Sequence, residues 1–331
     1  MSAHDQNRYK TLFLRASLSL ALFGGFLYFI DWENFNTYLS WQTIWGALAA
    51  QIAIVTAVFL MAVRHSFLVS RPAAPLKPTA ISVFLAQGLT FIIPGRLPEF
   101  LKATYLRKTC DVPLSAGVTA IFFERLMDLV VVGLLATVAL PFAGLTGFWL
   151  MIPLGFLGGP FAFILLAHFK KHWLEWLIQR LPHQKLRDFA KMSLHHFTEI
   201  LTFRDYSLAF LVGIMIWGAF LLSYVILFYF WQAPGLSFGA IVAVYIAAIL
   251  GAAIPLLPGG LGSVEGAAAF ALLQFGYNFT QAIEVTIGLR FTQILFLLPL
   301  SLILLVFVRT GLSNILRDLK EKPDGKTSDQ A

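Results

Sequence analysis

The chain has 331 residues, 58% of them apolar and only 12% charged, with a net charge of +7 and a mean hydropathy of +0.78. Soluble domains carry about 25% charged residues, so this composition excludes a water-soluble globular protein and leaves no stretch for a separate soluble catalytic domain. The single cysteine, Cys110, excludes an internal disulfide.

In chain order, apolar runs long enough to span a bilayer lie at 12–30, 44–63, 114–140, 146–168, 207–231 and 281–308. The first follows Arg8, Lys10 and Arg15 and resembles the start of a signal peptide. It lacks a small-x-small cleavage site and is read as a retained anchor. Two further segments are broken. Residues 79–93 run into Pro94-Gly95-Arg96-Leu97-Pro98-Glu99 and then a basic helix to Lys108; residues 238–257 run into Pro258-Gly259-Gly260-Leu261-Gly262-Ser263-Val264-Glu265 and then a short helix to Phe275. The expected fold is therefore an all-α polytopic membrane domain over 1–319, with about six full spans plus two broken or re-entrant pairs. The pairs make eight spans if both cross. A disordered tail is expected at 320–331, where Pro, Gly, Ser and charges gather.

Sidedness follows from the basic residues. If each broken pair makes no net crossing, 21 of the 24 Lys and Arg fall on one side, none on the other, and Arg96, Arg125 and Arg290 stay within the membrane. Lysine and arginine gather on the cytoplasmic side, which predicts both termini inside, in an inner (cytoplasmic) cell membrane. The first break then enters from the inside and the second from the outside, the pattern of an inverted repeat with a site between the two.

Helix-breaking residues persist in a lipid core only where protein or a polar cavity meets their backbone. Pro255 and Pro258 stop the incoming helix. Gly259, Gly260 and Gly262 leave N–H groups open to an anion, and Ser263 is expected to cap a helix restarting at Val264. Glu265 either satisfies those N–H groups or titrates against a basic partner.

Intramembrane ionisable residues mark functional sites by default. Glu124, Arg125 and Asp128 lie about 15 to 21 Å into their span at 1.5 Å per residue and share one helix face. They form either a self-contained packing cluster or part of a site. Arg290 has no acid on its own face, so its counter-charge comes from Glu265, Glu124 or an anionic ligand. Arg96, followed by Glu99 and Lys102, adds a guanidinium at the first break. Guanidinium forks hold phosphate oxygens in pairs, which makes Arg96, Arg125 and Arg290 candidates for a phospholipid or polyprenyl-phosphate head group. The seven histidines fall at the N-terminus, in loops and at span ends, and no metal or cofactor is expected. The basic stretch 170–204, with Trp173 and Trp176, is expected to lie on anionic inner-leaflet lipid or to dock a partner.

Pro94-Gly95-Arg96-x-x-Glu99-x-x-Lys102, Glu124-Arg125-x-x-Asp128 and Pro258-Gly259-Gly260-Leu261-Gly262-x-x-Glu265, in this order, resemble the transmembrane region of the lysylphosphatidylglycerol synthase family, also called flippase-like. The resemblance covers most of the chain. It implies a multi-span module that moves or accommodates lipid-linked substrates, with membrane lipids or glycolipid-pathway enzymes as partners. Pro98 before Glu99, and Lys102, depart from the family pattern at the first motif. The aminoacyl-transferase domain of the bifunctional members has no counterpart, so binding of tRNA or other nucleic acid is not expected. The rival reading is an enzyme of lipid-linked glycan synthesis with Glu124 or Asp128 as base, or an accessory subunit of such a pathway.

Overall fold

The computed structural model describes residues 40–70, 72–93, 97–142, 147, 151–169, 171–231, 236–253 and 258–308. The expected first span, Arg96 and the tail expected beyond residue 319 lie outside the described residues. Among those described, every regular element is helical: α1 (Trp41–Val69), α2 (Leu76–Leu89), α3 (Leu97–Cys110), α4 (Leu114–Phe142), α5 (Met151–Phe169), α6 (Lys171–Gln179), α7 (Gln184–His195), a π-helical turn (His196–Ile200), α8 (Phe203–Phe230), α9 (Phe238–Ala253), a 3₁₀ turn (Pro258–Gly260), α10 (Ser263–Gln274) and α11 (Phe279–Phe307).

Helices α1, α8 and α11 are long and apolar enough to cross a membrane. Their outward faces carry Ile52, Phe59, Met215, Leu222, Phe291 and Ile303, all exposed. In water such a belt would drive association, whereas in lipid it faces its own solvent. Helix α4 has the length of a span but carries Glu124, Arg125 and Asp128 on its inner side.

The four short helices pair as the breaks require. Helices α2 and α3 pack on each other, as do α9 and α10. At 1.5 Å per residue, α2 reaches about 21 Å, α9 about 24 Å and α10 about 18 Å, each short of a hydrocarbon core about 30 Å thick. α1 lies along α8, and α11 packs against α2, α10 and α1. α11 thus touches both broken pairs, which positions everything on its inner face between them.

The contact of α2 with α11 is close because Gly88 carries no side chain. A Cβ there would lie 1.9 Å from Ser301 Oγ and 2.3 Å from the Leu297 carbonyl. Ser301 Oγ reaches the Phe84 and Leu297 carbonyls at 2.7 Å each and is fully buried. Gly88→Ala is therefore expected to overpack the interface and cost about 1–3 kcal/mol. A thermal-denaturation midpoint in detergent equal to wild type would contradict this.

Helices α6 and α7 bury none of their residues. Trp173 and Trp176 are exposed, with rings 6.1 Å apart, and Arg180 stacks on Trp176 at 3.7 Å. The turn that follows ties this loop down, since His196 is buried and its Nε2–H donates to the Leu68 carbonyl at 2.9 Å. Burial holds the His196 imidazole below its ordinary 6.5, against the opposing pull of the Leu68 carbonyl. The unfolded chain then binds the proton first, so the docking contribution is complete above about pH 6.5 and is lost as pH falls below it. Protease nicking at 184–200 should rise from pH 8 to pH 5, and His196→Gln should flatten that dependence.

Candidate functional site

The residues singled out from sequence gather into two clusters. The first break's helix α3 and the charged face of α4 build one; the second break and α11 build the other.

In the α3–α4 cluster, Glu124 is almost completely buried and is held from both sides. Lys102 Nζ lies 2.7 Å from Oε2, and His65 Nδ1 lies 3.0 Å from Oε1. Arg64 Nη1 donates to Asp128 Oδ1 at 2.8 Å, while its Nε stands 4.0 Å from Glu124. Arg125 lies 3.1 Å from Asp128 and 3.3 Å from Glu99, on the more open side of the cluster. Trp217 Nε1, from α8, donates to Asp128 Oδ1 at 3.0 Å. Three cations thus face three carboxylates, with His65 as a further base. The deep charges are compensated side chain by side chain, as burial requires.

Arg64 and His65 were not anticipated. Arg64 fell among the cytoplasmic loop residues and His65 among histidines at span ends, because the apolar run stops at Val63. The helix instead continues to Val69, and both side chains are fully buried. Their carboxylate partners lie about sixty residues along the chain. An Arg-His pair immediately after an apolar run was the available signal, and it is also what an ordinary cytoplasmic span end looks like.

In the α10–α11 cluster, the backbone turns through Gly259, Gly260 and Gly262 at φ of +63°, +68° and +83°, a region that favours glycine. Gly262, not Ser263, is the N-cap, and α10 starts at Ser263 rather than Val264. Glu265 fixes this start: its Oε2 accepts the Gly262 N–H at 2.7 Å, tying the N-cap backbone to the first turn. Ser263 Oγ instead donates back to the Gly260 carbonyl at 3.1 Å.

Glu265 has a second role, since its Oε1 lies 3.1 Å from Arg290 Nε. Both side chains are buried. The Arg290 guanidinium also donates from Nη2 to the Gly259 carbonyl, and from Nη1 to Gln293 at 3.5 Å. Its flat face sits 5.2 Å from the Phe91 ring. Phe91 lies in the turn just after α2, the first broken helix. A Cβ on Gly259 would lie 3.2 Å from the Phe91 Cα and 3.1 Å from Arg290 Nη2. The corners of the two breaks therefore touch, and the guanidinium lies at their junction.

Beside this junction opens a groove of about 260 Å³, lined by Glu265, Arg290, Ile287, Ile294, Leu298 and the lipid-facing Phe291 and Leu295. Its walls are apolar and its polar end is the Arg290–Glu265 pair. The two clusters connect through aromatic side chains: Trp217 meets Asp128, Tyr245 Oη donates to the Trp217 carbonyl at 3.1 Å, Tyr245 and Tyr224 pack edge to face at 5.0 Å, and Gln293 Nε2 donates to Tyr224 Oη at 3.4 Å.

The family model for the lysylphosphatidylglycerol synthase TM region matches residues 16–317. This chain belongs to that family. It is a membrane protein of a family tied to lipid metabolism or translocation, and the match covers nearly its whole length. No curated protein and no solved structure matches the chain.

Proposed function

We propose that the protein binds an anionic lipid, with the head group at Arg290 and a hydrocarbon chain in the groove along α11, and moves it between leaflets by exposing that junction alternately to each side. The observation that carries this reading is the meeting of both breaks at one buried guanidinium beside an apolar groove open to lipid. Of the polar contacts described for Arg290, the one to Gln293 is the longest, so a phosphate oxygen at Nη1 displaces least there. Polar groups placed at the end of an apolar pocket fix head-group orientation while the walls take the tail.

The same reading places both termini on the cytoplasmic side of the inner membrane. It takes the two pairs of short helices as an inverted repeat. Burial of Glu124 between Lys102 and His65 favours translocation over group transfer, because a general base has to reach the proton it abstracts. Gently purified protein should retain an anionic lipid identifiable by mass spectrometry. Vesicles containing the protein should exchange labelled phosphatidylglycerol or a labelled polyprenyl phosphate between leaflets. Failure to move any anionic lipid would overturn the proposal.

A further inference from the structure

The α3–α4 cluster contains one base that can take up a proton without dissolving an ion pair. His65 Nδ1 faces Glu124 Oε1 at 3.0 Å. An ionised carboxylate only accepts, so in the neutral imidazole Nδ1 carries the hydrogen and Nε2 carries the lone pair. Nε2 is buried and has no hydrogen-bond partner among the described residues, and neither has Arg64 Nη2 on the adjacent residue. Leaving buried polar atoms unpaired is costly, and the lone pair on Nε2 in this tautomer is free to take a proton.

The surroundings set what that proton does. Arg64 comes from the same helix, Glu99 and Lys102 from α3, and Glu124, Arg125 and Asp128 from α4, while α8 contributes the Trp217 indole N–H. Gly213 of α8 leaves room for the Arg64 guanidinium, since a Cβ there would lie 3.3 Å from Nη1. His196, in the π-helical turn after α7, is occupied by the carbonyl of Leu68, one turn further along α1. With His65 neutral, the three cations and three carboxylates cancel; with His65 protonated, the cluster carries one uncompensated positive charge.

We propose that His65 is the proton-binding site of a proton-coupled cycle, in which a proton taken up at Nε2 accompanies each negative charge carried by the lipid head group. The proton comes from water on one side and leaves to water on the other, and no bond other than N–H is made or broken. The coupling runs toward Arg290 through Asp128, Trp217, Tyr245, Tyr224 and Gln293, a continuous chain of contacts between the two clusters. An uncompensated buried charge is costly enough to bias such a chain between two arrangements. This inference rests on the proposed lipid transport, and the experiment separates the two.

The first arm uses vesicles of neutral lipid with a few per cent labelled phosphatidylglycerol, with and without a pH gradient. Wild type is expected to move the label net in the direction the gradient dictates. His65→Gln is expected to show exchange without gradient-driven accumulation. Wild type that exchanges the label but is indifferent to the gradient, or His65→Gln still driven by it, overturns the proposal. The second arm needs no transport: a pH indicator records proton uptake when dodecyl phosphate is added to purified wild-type protein in weak buffer. No uptake between pH 6 and 8, or equal uptake by folded His65→Gln, overturns it as well. If no variant moves lipid but the wild type alone takes up the proton, transport fails while the proton site stands.

Discussion

Arg290→Ala should weaken binding of an anionic single-chain lipid such as dodecyl phosphate by about 30- to 150-fold, the equivalent of about 2–3 kcal/mol for a lost charge-assisted contact. The argument is geometric. Arg290 touches Glu265, the second break at Gly259 and the ring of Phe91 together. Arg290→Lys should recover only part of the loss, since an ammonium keeps the charge but not the planar fork that spans several acceptors. Glu265→Gln should act in the opposite direction. The amide oxygen can still accept from Gly262, but it no longer neutralises the guanidinium, so dodecyl phosphate should bind more tightly. Fluorescence or calorimetric titration of the purified variants reads all three. Equal affinity for wild type and Arg290→Ala would remove the head-group site from this junction.

Glu124→Gln is expected to be the most destabilising single change in the inner cluster. It leaves Lys102 Nζ without its 2.7 Å partner and weakens the field around Arg64, with both cations buried. Removing one member of a buried ion pair costs about 3–5 kcal/mol, because the remaining charge stays desolvated. The double variant Glu124→Gln with Lys102→Met should regain much of that loss, since no orphan ammonium remains. The exposed pair Lys171–Glu199, with nitrogen and oxygen 2.6 Å apart, provides the contrast. Lys171→Ala should leave thermal denaturation in detergent unchanged, as solvent-exposed pairs contribute little. A Glu124→Gln midpoint equal to that of Lys171→Ala would show that water reaches the inner cluster.

Much of this arrangement was legible in the order of residues. Proline and glycine at Pro258-Gly259-Gly260 have a local consequence in any apolar helix, so the second break could be read directly. Arg290 lacks an acid at helical spacing, which forced its partner to be remote, and Glu265 is that partner. Glu124, Arg125 and Asp128 share a face by spacing alone. What spacing could not supply is pairing between distant segments. Glu124 takes Lys102 and His65, and Asp128 takes Arg64, through packing of α1 and α3 on α4. Hydropathy ended the second span at Val63 because polar side chains followed, although a buried arginine and histidine prolong the helix rather than end it. The Ser263 reading failed because the helix starts one residue earlier, with the Glu265 carboxylate holding the Gly262 N–H and the Ser263 hydroxyl turned back to the Gly260 carbonyl.

The meeting of Phe91 with Gly259 has an implication for how this molecule can vary. Each corner is the mould of the other, with a ring on one hairpin filling the space that the absent side chain on the other leaves. Neither position is free to drift alone, and a chimera that borrows one hairpin from a divergent relative inherits half of a lock. Tolerated exchanges at this junction have to come as matched pairs, with Arg290 as the third party to each.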